Sequence, residues 1–358
     1  MLLNVKNWQF ITKPSKMIIC SAIPNIFHLQ TNVSYIPGFP FASHILPFFI
    51  NDIPKFTVKF QIVPEINDIP TPNFHIAGAD PQNDVVWLNY SHKFFKIQLI
   101  AKGLKSNFLE VKVSYFYFKY LRNRIEILYP PGAFLANLVM SMFLYRNLTP
   151  VHCACVTNDE YAYLITAPAG TGKTLTSLYL LHKCDNMKIL SDDIIITDGV
   201  QVWGCPLTAS VEYDFPPLGI QGLSYWKNRI IDIFPLLLPF LVNDAKPLIM
   251  QIPDKVSFKA YTKFIFFLEK GDISYREIDP NEAVQKITII NRLEFTYQRD
   301  VLLSAYSYHD NEFNVLSLMR KEENILQLLV SNARSFCVKA NSPHDFWKLV
   351  LDIIEKFD

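Results

Sequence analysis

A surplus of charge of either sign is missing from this 358-residue chain: 34 Lys and Arg stand against 33 Asp and Glu, a formal net charge of +1. A nucleic-acid-binding surface normally carries a basic excess, so no nucleic-acid partner is expected. Long uninterrupted apolar runs are missing too. The most apolar stretch, residues 230–242, is broken by Asp232, Pro235 and Pro239 and is shorter than the ~20 residues a spanning helix needs. It reads as a buried segment or a hydrophobic docking surface, and membrane insertion is not expected. Residues 1–30 contain Lys6, Lys13, Lys16 and two prolines before any long apolar run, which does not fit a secretory signal. The six cysteines show no paired metal-ligand spacing. Cys153 and Cys155, two apart on one strand, would face the same side and offer a metal or redox pair, but buried structural thiols are the expectation. A reducing, cytoplasmic location fits that usage. The first 129 residues show no metal cluster, nucleophile triad or repeat.

Half of the residues are hydrophobic and 14% are aromatic, so the chain has material for a full-sized core. Two domains are expected, a strand-rich N-terminal region over residues 1–130 and an α/β core over 131–358. Alternation and β-branched or aromatic content predict strands over residues 56–63, 84–90, 95–100 and 109–118. A helix apolar nearly all round follows Pro131 and Gly132 and reaches Arg146; Met140 and Met142 on it are packing residues. Residues 149–157 and 161–166 predict two strands around a turn at Asn158, Asp159 and Glu160. Further strands are expected over 187–191, 194–197, 200–203, 264–268 and 335–339, with a hairpin turn at Asp198 and Gly199. Helices are expected over 281–292, 323–329 and 343–357, the last capped by Ser342.

One stretch organises the rest. Residues 161–181 read as a buried strand, a turn of small residues and an apolar-periodic helix, with Ala169, Gly170, Thr171, Gly172, Lys173 and Thr174 at the turn. A triphosphate needs several backbone N–H groups converging on it, which requires small residues and positive φ, and the helix that starts there adds its positive end. Lys173 would reach the terminal phosphates and the hydroxyl of Thr174 would sit on Mg²⁺. The strict pattern wants Gly where Ala167 stands. Before this loop comes His152 on a strand, and after its helix the pair Asp192 and Asp193 ends a short strand. Phosphoryl transfer needs a phosphate cradle, a carboxylate near Mg²⁺ and a group to accept the proton of the attacking hydroxyl. His152, Asp192 and Asp193 are the candidate catalytic group, one aspartate on the metal side and the other, assisted by His152, as base; Asp192 is favoured as base, which makes Thr174 and Asp193 the candidate metal ligands, and a core histidine and a solvated turn are the plainer readings of these residues. Arg229, Arg292, Arg299 and Arg320 are further candidate phosphate contacts, with surface ion pairs as the plainer reading.

At these residues, over about 131–200, the chain resembles the HPr kinase/phosphorylase-like family, whose core places a His on a strand, a strand, a Gly-rich loop ending in Gly-Lys-Ser/Thr, its helix and an Asp-Asp pair. The loop also resembles that of phosphoenolpyruvate carboxykinase. More particularly, the chain is similar to stand-alone HPr-kinase-like proteins with a strand-rich N-terminal region, some tied to modification of ribosomally made peptides. The resemblance implies an α/β phosphate-loop core, ATP and Mg²⁺ as cofactors, and transfer to a Ser hydroxyl. It carries the catalytic group over to His152, Asp192 and Asp193, with Lys173 and Thr174 as phosphate and metal contacts. Leu175 stands where the family usually has Glu, and its second signature is echoed only at Leu218, Gly219 and Ile220. HPr itself and a phosphorolytic reverse reaction are therefore left open.

The function expected is an ATP-dependent kinase acting on a hydroxyl, more readily of a peptide or protein than of a small molecule. A small-molecule kinase and a nucleotide-dependent regulatory binding protein are the alternatives. A carboxykinase is disfavoured, since no cluster of His, Lys and Arg resembles its metal and carboxylate sites. The acceptor and the oligomeric state, a homo-oligomer included, are not legible.

Overall fold

The computed structural model describes residues 17–42, 45, 48, 51–92, 95–121, 127–205, 207, 215–220 and 247–357. The apolar stretch at 230–242 and Arg229 lie outside them. The chain is a mixed α/β protein with two mixed sheets.

The first sheet contains seven strands, β1 (Ile18–Ile23), β2 (Phe27–Thr31), β3 (Phe56–Val63), β4 (Ala77–Asp80), β5 (Val85–His92), β6 (Phe95–Lys102) and β7 (Phe108–Ser114), in the order β1-β2-β3-β7-β6-β5-β4. The alternation in β3 is visible in its burial, with Phe56, Val58 and Phe60 inside and Thr57 and Lys59 half-buried. The strand predicted over 109–118 ends early, and Tyr115–Tyr120 forms a short helix, α1. The reason lies in its aromatics. Tyr117 turns into the core and donates its hydroxyl to the carbonyl of Tyr129, while Phe116 and Tyr120, one turn apart, meet with ring centroids 4.8 Å apart, a spacing that a helix provides and a strand does not.

Helix α2 (Pro131–Tyr145) is buried along nearly its whole length. It joins the first sheet to Ile194, Ile196 and Trp203 of the second in one continuous apolar core. The second sheet runs β11 (Lys188–Ser191), β9 (Ala154–Thr157), β10 (Tyr161–Thr166), β14 (Lys259–Lys270), β13 (Gln201–Gly204), β12 (Ile194–Thr197) and β8 (Thr149–His152). The long β14 also takes β16 (Arg334–Ala340) in parallel, and β15 (Ser274–Glu277) pairs with β16. The single strand predicted over 149–157 breaks at Cys153. Its two halves pair with different partners, β8 with β12 and β9 with β10 and β11. Cys153 and Cys155 nonetheless share one apolar cluster as buried free thiols.

Helices cover both faces of this sheet. On one, α3 (Lys173–Lys183) packs with the C-terminal helix through Leu178, Leu181, Phe346 and Val350. On the other lie α4 (Pro280–Glu294) and, after α5 (Val301–His309), α6 (Val315–Ser331), which bury Ile287, Leu326 and Leu329. The C-terminal helix, α7, spans Pro343–Phe357. No helix among the described residues is long and apolar enough to cross a membrane.

Candidate active site

The strand β10 ends at Thr166 and α3 begins at Lys173, so the six residues between them form the loop. Gly170 has φ +74° and Gly172 φ +120°, backbone that L side chains rarely adopt. Gly172 is also the N-cap of α3 and offers no side-chain acceptor, and the first turn holds no acidic residue. The N–H groups at the head of α3 are thus left to an external anion, which the helix dipole favours. The hydroxyl of Thr171 donates to the carbonyl of Pro168 at 2.9 Å and tightens the loop. Lys173, only 7% exposed, donates from Nζ to the carbonyl of Ala167 at 2.8 Å. Thr174 is half-buried on the first turn.

Three backbone ties bring His152 and the aspartate pair to this loop. Ile194 is the register partner of His152, the N–H of Cys153 donates to the carbonyl of Asp193 at 3.0 Å, and the hydroxyl of Thr166 donates to the carbonyl of His152 at 3.0 Å. Asp192 and Asp193 fill the turn between β11 and β12. Asp192 is 7% exposed, whereas the side chain of Asp193 is 56% exposed and places Oδ1 3.3 Å from Nδ1 of His152. Among the described contacts it is Asp193 that stands at the imidazole.

A fourth group was not legible in the sequence. Glu294, the last residue of α4, sets Oε1 3.7 Å from Nε2 of His152, so the buried ring lies between two carboxylates. Its approach is fixed one turn earlier by Asn291, whose Oδ1 accepts from the N–H of His152 at 3.1 Å and whose Nδ2 donates to the carbonyl of Pro150 at 2.9 Å. An Asn within an amphipathic helix is the only trace of this in the sequence. Arg292, a candidate phosphate contact, lies in α4 within 3.4 Å of Glu323 and 3.7 Å of Glu322, the ion-pair outcome.

The electrostatics follow from burial. Desolvation holds the His152 imidazole below its ordinary value, with Asp193 and Glu294 pulling it up and Lys173 pushing it down. Desolvation likewise lowers the Lys173 ammonium, and Asp193 and Glu294 oppose it. A neutral imidazole, a buried ammonium and an exposed carboxylate therefore meet beside an uncapped helix end. That arrangement can hold an anion at the loop and take a proton next to it.

Mg²⁺ binds through one or two carboxylates and keeps water and phosphate as its other ligands. Thr174 with an aspartate of the pair suits that habit; no group of three or more His, Cys, Asp or Glu that could hold a metal occurs among the described residues.

No family model matches the chain, and no curated protein does. Among solved structures it is similar to the HPr(Ser) kinase/phosphatase from Coxiella burnetii, at 17% identity and a TM-score of 0.23, over 36% of this chain and 77% of that one.

Proposed function

We propose that this chain is an ATP-dependent kinase that transfers the γ-phosphate to a hydroxyl, the acceptor being a Ser of a peptide or protein. The observation that carries the proposal is the meeting of the His152 and Asp193 pair, 3.3 Å apart, with Lys173 at the uncapped head of α3. The loop amides and Lys173 hold the β- and γ-phosphates. Thr174 and the other aspartate of the pair, Asp192, would hold Mg²⁺, which would supply neutralisation of charge on the phosphates. The acceptor oxygen bonds to the γ-phosphorus, the bond from that phosphorus to the β,γ-bridging oxygen breaks, and ADP leaves. Asp193 and His152 take the acceptor proton. A hydroxyl loses its proton only as the new bond forms, so a weak base in place at that moment is sufficient.

Two features of the pair fit this role. His152 is held mostly neutral by its burial and can receive a proton, and Asp193 is the exposed member of the pair, within reach of a bulky acceptor. The test is incubation with MgATP and Ser-containing peptides encoded beside this gene, followed by mass spectrometry. A phosphate on a Ser, absent with the Asp193→Asn chain, is the expected result. Phosphorylation of small hydroxyl compounds alone would replace the peptide by a metabolite as acceptor, and ATP binding without transfer would replace the kinase by a nucleotide-dependent binding protein.

A further inference from the structure

The phosphate loop follows one end of β10, and at the other end lies a cavity of about 430 Å³, a size that suits a small molecule. It opens where the turn between β9 and β10 meets the starts of β13 and β14, and its walls are tied together. Oδ1 of Asn158 accepts from the N–H groups of Glu160 and Tyr161 at 3.2 and 2.7 Å, which fixes the turn. The carbonyl of Glu160 accepts from the N–H of Tyr261 at 2.9 Å, which joins the turn to β14. Asp159 is already held by Lys188, 2.7 Å away.

Three other polar side chains that line the cavity have no such ties. Among the described residues no hydrogen bond or ion pair holds the side chain of Glu160, Lys259 or Gln201. One unpaired charge on a surface is ordinary, since water serves it well. That explanation does not reach a carboxylate, an ammonium and an amide grouped around one concave volume, with the two charges not paired to each other. The backbone of β14 adds to the group. The N–H of Tyr261 turns toward Glu160 and that of Thr262 toward Val200, so successive residues face β10 and β13 in turn. Lys259 therefore turns its N–H and carbonyl to the β10 side, where β10, which starts at Tyr161 opposite Tyr261, has not yet begun. Ala260 and the ring of Tyr261, 50% exposed, supply the apolar part of the lining.

We propose that this cavity binds a free α-amino acid with an apolar side chain. Glu160 takes the ammonium, Lys259 and the Gln201 amide take the carboxylate, and the side chain lies on Ala260 and Tyr261. A zwitterion answers this lining because it carries both charged groups on one carbon, whereas an anion or a cation alone leaves one wall without a partner. The cavity stands about 16 Å from the phosphate loop, the length of β10 at the usual rise of a strand, and the inference does not depend on what the loop holds.

Saturation-transfer NMR and calorimetric titration of the full chain with L-leucine and L-phenylalanine test this. N-acetyl-leucine, which lacks the ammonium, and isoamylamine, which is leucine without its carboxylate, serve as the blocked probes. At least one of the two amino acids is expected to bind, and each blocked probe to bind about tenfold more weakly than leucine, the scale of one hydrogen bond to a charged group. Glu160→Gln should weaken the amino acid about as much and abolish the discrimination against N-acetyl-leucine. Lys259→Met should do the same for isoamylamine. Both side chains are exposed, so the variants should fold, and their binding of MgATP should match that of the unaltered chain, which keeps this site and the phosphate loop separately readable. Failure of both amino acids to bind, binding that survives both substitutions, or equal binding of the blocked probes would overturn the proposal.

Discussion

Asn291 on α4 accepts a hydrogen bond from the backbone N–H of His152 and returns one to the carbonyl of Pro150. One side chain thus ties a helix to the edge strand β8, and the residue three positions on, Glu294, arrives at the imidazole. The same amide group donates to Glu322 at 3.2 Å, a carboxylate that is 1% exposed and also accepts from the hydroxyl of Tyr297 at 2.6 Å.

Asn291→Ala should therefore leave the buried N–H of His152 without its acceptor, remove one of the two donors to the Pro150 carbonyl and take a donor from the buried Glu322 carboxyl. The expected cost is about 3 kcal/mol, read as a lower midpoint in urea unfolding at unchanged slope. Activity should fall with it, because Glu294 loses its anchor.

The imidazole reports its neighbours by sign. Removing a carboxylate favours the neutral ring, so Asp193→Asn and Glu294→Gln should each lower the His152 value further, and Lys173→Met should raise it. NMR titration of the ring protons in the metal-free chain checks all three directions. An unchanged value in all three variants would remove the cluster from the account.

The two loop glycines should differ. Gly170 has φ +74° and no heavy atom within 4 Å of a Cβ placed on it, whereas at Gly172, with φ +120°, that atom would press on Pro343. Gly170→Ala should cost about 1–2 kcal/mol in backbone strain alone. Gly172→Ala should cost more, and it should also weaken nucleotide binding by displacing the start of α7.

Stability should carry a mark of Asp300. It caps α5 by accepting from the N–H groups of Leu302 and Leu303 and takes a hydrogen bond from Asn137 of α2. Burial nevertheless pushes its carboxyl up to about 6 from an ordinary 3.8. Between those values the folded state keeps a proton that the unfolded chain has lost, so this group's contribution falls as pH rises from about 4 to 6 and is level above. The full swing is at most about 3 kcal/mol. Asp300→Asn retains the cap and should flatten that part of the stability curve.

The loop, His152 and the aspartate pair were legible in the sequence because each sits in a local pattern: a strand, small residues, then a helix, or two carboxylates at a strand end. Their mutual geometry was not. The aspartates at a turn could face either way, and only the pairing of β8 with β12 sets Asp193 beside His152. Glu294 was illegible for the same reason, since it lies 142 residues after His152 and meets it only once α4 has docked. The strands of the first sheet were plain where alternation was strong, as in β3. They failed at Tyr115–Tyr120, where aromatic residues fit strand and helix alike and packing decided. Helix α5 was missed altogether, because its faces are apolar on nearly every side and offer little period to read.

The most direct test follows the γ-phosphate of labelled ATP in a single turnover with Mg²⁺, comparing the unaltered chain with Lys173→Ala and Asp193→Asn. The account predicts that the label leaves ATP, to an added acceptor or slowly to water, and that each substitution slows this by 100-fold or more, on the order of the loss of one preorganised charge contact. Label release at equal rates from all three chains would contradict it.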